Sequence, residues 1–70
     1  MTREILRVDG MRAEHDRRVV QDLLRALPGV VRVAVNLADH TVRIERNDEA
    51  SLATIIQVMR DAGYSVAVLA

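Results

Sequence analysis

The segment GMRAEHD at residues 10–16 marks the change from an extended pattern to a helical one, and this change decides the fold. Before it, Leu6 and Val8 alternate with polar residues, a pattern typical of a half-buried strand that ends at Asp9-Gly10. A loop that leads into a helix N-terminus presents free backbone N–H groups and a local positive potential. We therefore expect any functional site of this chain to lie at residues 10–16.

The helical pattern begins at Asp16 and places apolar residues at i, i+3, i+4 and i+7, namely Val20, Leu23, Leu24 and Leu27. Pro28-Gly29 ends the pattern, because proline cannot continue a helix and glycine suits the position after its last turn. Glu14 and Asp16 place negative charge near the predicted N-terminus, where the helix dipole favours it.

Two further strands are predicted after the first helix. The β-branched run at residues 30–36 and the alternating segment at residues 41–45 are typical of strands, and the residues between them read as a turn. The natural pairing is a hairpin. Its turn contains His40, which we expect at the opposite end of the fold from residues 10–16, as a surface side chain.

A second helix and a last strand complete the chain. Asn47-Asp48 supplies a predicted cap, with Glu49 in the first turn. Helical spacing then recurs at Leu52, Ile55, Ile56 and Met59. The helix is predicted to end at Gly63, and residues 64–69 read as a strand.

The resulting order, βαββαβ, predicts one ferredoxin-like α+β domain over residues 1–70. In this arrangement a four-stranded antiparallel sheet carries both helices on one face, and the first and third strands are central. The loop at residues 10–16 and the Gly63-Tyr64 pair are expected to be neighbours.

The composition excludes several function classes. The ten basic residues, all arginine, balance ten acidic ones, so no net charge concentrates phosphate or anionic lipid. Without cysteine there are no disulfides, thiolate nucleophiles or sulfur ligands, and without lysine there is no Schiff base. One tyrosine and no other aromatic residue argue against nucleic-acid binding by base stacking. No base lies beside Ser51 or Ser65, so we do not expect an enzyme.

The chain has no apolar run long enough to cross a membrane, and residues 1–4 lack the apolar segment of a signal peptide. We therefore expect a soluble, cytoplasmic protein without membrane insertion, either a monomer or a weak homodimer.

Four segments together resemble the heavy-metal-associated domain family. A strand ends in Gly10-Met11, a helix closes in Leu27–Val30, a strand carries Val33–Leu37, and Ala62–Tyr64 precedes the last strand. The family comprises small copper and mercury chaperones and N-terminal domains of metal-exporting P-type ATPases. Its loop reads G-M-x-C-x-x-C, and the two thiolates bind a soft ion such as Cu(I).

The two cysteine positions of that motif are occupied here by Ala13 and Asp16. Alanine has no donor atom and a carboxylate is a hard ligand, so the resemblance implies a metallochaperone-like domain that has lost Cu(I) binding of the family kind. It also implies that Met11 packs inward beneath the loop and that Tyr64 faces it. A partner, such as a metal-transporting P-type ATPase, would dock at this end.

Two alternatives remain for the same loop. His15 with Asp16 or Glu14 would weakly bind a harder divalent ion, Zn(II), Ni(II) or Cu(II), if the loop brought these side chains together. Otherwise Glu14 and Asp16 serve the helix terminus, His15 is solvated, and the domain is a protein interaction or regulatory module without metal.

Overall fold

The computed structural model describes residues 1–70 and has the predicted order of strands and helices. These elements are β1 (Thr2–Asp9), α1 (Glu14–Arg25), β2 (Val30–Asn36), β3 (Thr41–Arg46), α2 (Leu52–Asp61) and β4 (Ser65–Val68). The strands form one antiparallel sheet in the order β2-β3-β1-β4, which makes β1 and β3 central. The ferredoxin-like α+β fold predicted from the sequence is confirmed.

The core lies between the two helices and one face of the sheet. Its ten buried residues include no aromatic ring, so the core is closed by aliphatic and thioether packing. They are Leu6, Val8, Met11, Val20, Leu24, Val42, Ile44, Ala50, Ile55 and Met59. Alternate residues of β1 and β3 point to the other, open face, which no element of the chain covers.

The connections between the elements lie at two ends of the sheet. We call the end with residues 10–13, 37–40 and 62–64 the loop end, and the end with residues 26–29 and 47–51 the base. At the base, Gly29 has a positive φ of 90° and its carbonyl oxygen accepts a hydrogen bond from the Asn47 amide at 2.8 Å. A Cβ on Gly29 would lie 2.4 Å from the Ala50 amide nitrogen, so only glycine fits there.

The predicted cap of the second helix is wrong. The helix begins at Leu52, and its N-cap is Ser51, whose Oγ accepts a hydrogen bond from the Thr54 amide at 3.1 Å. Asn47 Oδ1 instead accepts from the Glu49 amide at 2.9 Å. This hydrogen bond forms a local turn at residues 47–49, and the helix begins only after it, at Leu52. Sequence pattern alone does not distinguish such a turn from a helix cap.

A buried ion pair closes the base and was not predicted from the sequence. Arg46 Nη2 donates to Glu4 Oε1 at 2.9 Å and Arg46 Nη1 donates to the Ala50 carbonyl oxygen at 2.9 Å. The two side chains are only 18% and 11% exposed. Arg46 therefore links β1, β3 and the connection before α2 through charge-assisted hydrogen bonds.

Candidate functional site

The three connections of the loop end converge because β1 is antiparallel to both of its neighbours. Arg7 lies opposite Thr41, and Asp9 lies opposite Ser65, so the β2–β3 turn and the α2–β4 connection both adjoin the end of β1. The loop that follows β1 thus meets Gly63-Tyr64, as predicted.

The position predicted for His40 is wrong. The Val8 amide donates to the His40 carbonyl oxygen at 2.8 Å, which places the hairpin turn at the loop end and not at the opposite end. The reason is the antiparallel register, in which the start of β3 lies beside the end of β1. His40 is half-buried, adopts a positive φ of 59°, and its Nδ1 is buried without a hydrogen-bond partner.

Met11 and Tyr64 hold the loop from below and from the side. Met11 is 2% exposed and belongs to the core. Gly10 has a φ of 111°, and a Cβ on it would lie 3.2 Å from Cδ1 of Tyr64, so the tyrosine ring covers the start of the loop. The loop is therefore anchored by the Met11 side chain, which packs into the core, and by the Tyr64 ring of the α2–β4 connection.

Asp16 ties these parts together. Its Oδ2 accepts hydrogen bonds from the backbone amides of Arg12 at 3.0 Å and Ala13 at 3.3 Å, and its Oδ1 accepts from the Tyr64 hydroxyl at 3.1 Å. Ala13 is the N-cap of α1 and offers no side-chain oxygen, so Asp16, three residues later, supplies one half of a capping box. We call this set of contacts the Asp16 bridge.

The bridge changes the acidity of both side chains. The hydrogen bond from the Arg12 amide, together with that from Tyr64, lowers the pKa of Asp16 below its ordinary value. Burial, reinforced by the hydrogen bond to Asp16, raises the pKa of Tyr64. The carboxylate is therefore ionised and the phenol protonated near neutral pH, which is the pairing that the hydrogen bonds need.

The other two candidate ligands are arranged differently. Glu14 accepts from Nε of Arg17 at 2.7 Å and lies 4.0 Å from Nε of Arg18, and the hydrogen bond from Arg17 lowers its pKa. His15 is exposed. Glu14 and Asp16 both lie in the first turn of α1, as expected for the helix terminus. The structure does not gather three or more His, Asp or Glu side chains into a group that could hold a metal.

The loop geometry and the sequence comparison lead to one family. The family model described as the heavy-metal-associated domain matches residues 5–65, which include the whole loop and Tyr64. The chain belongs to the heavy-metal-associated domain family. The resemblance that Gly10-Met11 and the other segments indicated is thereby confirmed.

Individual relatives agree with this assignment. The copper chaperone CopZ of Staphylococcus epidermidis is 37% identical over 67 residues, which cover 94% of this chain and 98% of the relative. A solved CopZ metallochaperone has a TM-score of 0.90 at 30% identity and covers 94% of this chain and 100% of its own. The N-terminal domain of a potential copper-translocating P-type ATPase from Bacillus subtilis has a TM-score of 0.90 at 25% identity, covering 94% and 84%. This heavy-metal-associated domain is metallochaperone-like over 94% of its length.

Sequence reasoning identified the residues of the loop but not the bridge. The acidic residue three positions after the N-cap was a usable signal for the contacts with Arg12 and Ala13. The contact with Tyr64 joins residues 48 positions apart and could be seen only in the structure.

Neither helix is long and apolar enough to cross a membrane.

Proposed function

We propose that this heavy-metal-associated domain acts without Cu(I), as a docking module whose loop is held closed by the Asp16 bridge. The observation that carries the proposal is that a carboxylate occupies the second cysteine position and accepts three hydrogen bonds from the loop and Tyr64. A bound ion would hold a two-cysteine loop by joining its ligands. Here the Asp16 side chain joins residues 12 and 13 of the loop to Tyr64 by hydrogen bonds.

The chemistry of positions 13 and 16 supports this proposal. Ala13 offers no donor atom to a metal, and the carboxylate of Asp16 is a hard ligand that Cu(I) does not favour. Both of its oxygens are also engaged in the bridge, so binding an ion through Asp16 would break hydrogen bonds to the backbone and to the tyrosine.

The partner would approach the loop end, which presents Arg12, Ala13, Glu14 and His15 as exposed residues. By analogy with the ATPase domain of Bacillus subtilis, we propose a metal-transporting P-type ATPase or another protein that recognises the closed loop. Docking would then depend on the shape of the loop and not on metal transfer.

A Cu(I) competition titration tests the loss of cargo. The protein is titrated against a chromophoric Cu(I) chelator under reducing conditions, beside the matched double variant Ala13→Cys, Asp16→Cys. We expect the unsubstituted chain to leave the chelator complex intact and the double variant to withdraw Cu(I) from it. Competition by the unsubstituted chain comparable to that of the double variant would contradict the proposal.

A second candidate function is binding of a harder divalent ion by His15 with Asp16 or Glu14. The charge of His15 contributes to the lowered pKa of Asp16, so these two groups are close enough to interact. Titration with Zn(II), Ni(II) and Cu(II), followed by NMR, tests it. Micromolar binding that shifts the amides of residues 14–16 and is lost in His15→Ala would establish this function, whereas silence for all three ions would eliminate it.

A further inference from the structure

The open face of the sheet carries four exposed arginines in three adjacent strands. They are Arg3 and Arg7 of β1, Arg32 of β2 and Arg43 of β3, and we call this surface the arginine face. It lies on the side of the sheet away from the helices, and it is distinct from the loop end at which we propose docking. The whole chain has no net charge, so the concentration of arginine here is local.

The strand register sets three of these arginines on a diagonal. Arg43 lies opposite Ala34 on one side and Ile5 on the other. Arg32 lies opposite Glu45, two residues further along β3, and Arg7 lies opposite Thr41, two residues back. Diagonal neighbours in an antiparallel sheet are about 7–8 Å apart. The positive charges therefore repeat at that spacing across β2, β3 and β1.

Ion pairing leaves part of this charge free. Arg3 pairs with Glu45 at 3.0 Å, and Arg7 lies 3.4 Å from Asp9, whereas Arg32 and Arg43 make no ion pair. Asp39 of the hairpin turn also lies close enough to Arg43 for the positive charge to lower the pKa of Asp39. Four arginines against these three carboxylates leave an excess of one positive charge, and Arg32 is the arginine without a carboxylate partner.

A shallow groove runs between the arginines. Arg3, Arg32 and Arg43 line it together with Glu45, which pairs with Arg3, and Ile5 and Ala34 add aliphatic surface between them. A segment seated there would meet guanidinium groups at the rim and methyl groups below. Such a mixture suits carboxylate side chains, whose methylene groups contact the floor while their oxygens reach the rim.

We propose that the arginine face binds an extended acidic segment of a partner protein, with carboxylates at every second residue. Alternate side chains of an extended segment lie on one side at intervals of about 6.5–7 Å, close to the diagonal spacing of the arginines. The planar guanidinium of Arg32 or Arg43 can donate two parallel hydrogen bonds to one carboxylate.

The chemistry of the face favours an acidic protein segment over nucleic acid or lipid. Glu45 and Asp9 interrupt the positive charge, and a peptide can place uncharged residues over them, whereas a continuous row of phosphates or an anionic lipid surface cannot. The face has no aromatic ring for base stacking, because the only aromatic residue, Tyr64, lies at the loop end.

A synthetic peptide tests the proposal. It is blocked at both ends, alternates aspartate with threonine over about eight residues, and carries a fluorescent label. We expect binding by anisotropy that weakens with added salt, and NMR shifts confined to the amides of β1, β2 and β3. The control peptide has asparagine in place of each aspartate and is expected not to bind.

Matched variants locate the site. The double variant Arg32→Gln, Arg43→Gln should weaken peptide binding about tenfold, because it removes two exposed charge contacts. The control, Arg25→Gln with Arg60→Gln, makes the same change in charge on the exposed surface of the helices and should have an effect of less than about twofold. Both variants should unfold at a temperature close to that of the unsubstituted chain.

Three results would overturn the proposal. They are absence of peptide binding, equal weakening by the two double variants, and binding of duplex DNA or phosphatidylserine vesicles through Arg32 and Arg43 in preference to the peptide. None of these results depends on the loop end, so the Cu(I) titration and this experiment can fail independently.

Discussion

The two ends of the molecule are each closed by a carboxylate, but the two carboxylates have different partners. At the base, Glu4 is buried and pairs with the guanidinium of Arg46, which also donates to the Ala50 carbonyl oxygen. At the loop end, the more accessible Asp16 accepts only from neutral donors, which are two backbone amides and the Tyr64 hydroxyl.

This difference predicts that the base contributes more to stability than the loop end does. The base contacts are shielded from water and join two strands to the connection before α2, so losing one partner leaves a buried charge behind. The loop-end contacts join a loop to its own helix and to a tyrosine, where water can replace a lost partner. Substitutions at the loop end can therefore change the contacts of the loop while the rest of the fold stays intact.

The sharpest test of this contrast is a pair of glycine substitutions. Gly29→Ala at the base should lower the free energy of unfolding by about 3 kcal/mol, because a Cβ there would lie 2.4 Å from the Ala50 nitrogen. Gly63→Ala at the loop end meets no atom within 4 Å and should cost only its backbone strain, about 1 kcal/mol. Urea denaturation measures both. Equal losses would mean that the base is not the more tightly packed end.

Removing the cation of the base should have the next largest effect. Arg46→Met leaves Glu4 buried without its partner and should lower the free energy of unfolding by about 2–3 kcal/mol at pH 7. Adding Glu4→Leu should recover part of this loss, since it removes the unpaired charge. If the double variant is as unstable as the single one, the packing of the arginine stem, and not the ion pair, accounts for its role.

A conservative change at the loop end should have a smaller and more local effect. Tyr64→Phe removes the hydroxyl that donates to Asp16 and should lower the free energy of unfolding by about 0.5–1 kcal/mol. In Asp16→Ala, hydrogen exchange at the amides of Arg12 and Ala13 should become faster while exchange in β1 and β3 is unchanged. Faster exchange throughout the sheet would show that the bridge supports the whole fold.

The smallest expected effect is on the pH dependence of stability. Because the folded-state pKa of Asp16 lies below its ordinary value of 3.8, the bridge stabilises the fold above that pH, and the stabilisation is lost as the pH falls through the folded pKa. Glu14 and Asp39 have pKa values shifted in the same direction. The urea concentration at the midpoint of unfolding should therefore decrease as the pH is lowered below about 4. This decrease should be smaller in Asp16→Asn. An identical profile in that variant would contradict the assigned role of Asp16.

Sequence pattern predicted the fold because the apolar periods of 2 and 3.6 are local and strong in every element. It failed where a side chain competes with the backbone, as in the Asn47 turn before α2, and where strand register decides which connections meet, as for His40. The polar contacts at both ends were hidden for another reason. Glu4 and Arg46 lie 42 positions apart, and charge alone does not reveal such a pair.

The double role of position 16 also restricts how the loop can change by mutation. Asp16→Cys alone would break the bridge while Ala13 still lacks a sulfur atom, and Ala13→Cys alone would leave one thiol beside a carboxylate that stays engaged. Neither single step restores a pair of thiolates, and the first leaves the loop without either closure. Any route from this sequence to a two-cysteine site by single substitutions thus passes through a variant that gains no metal site.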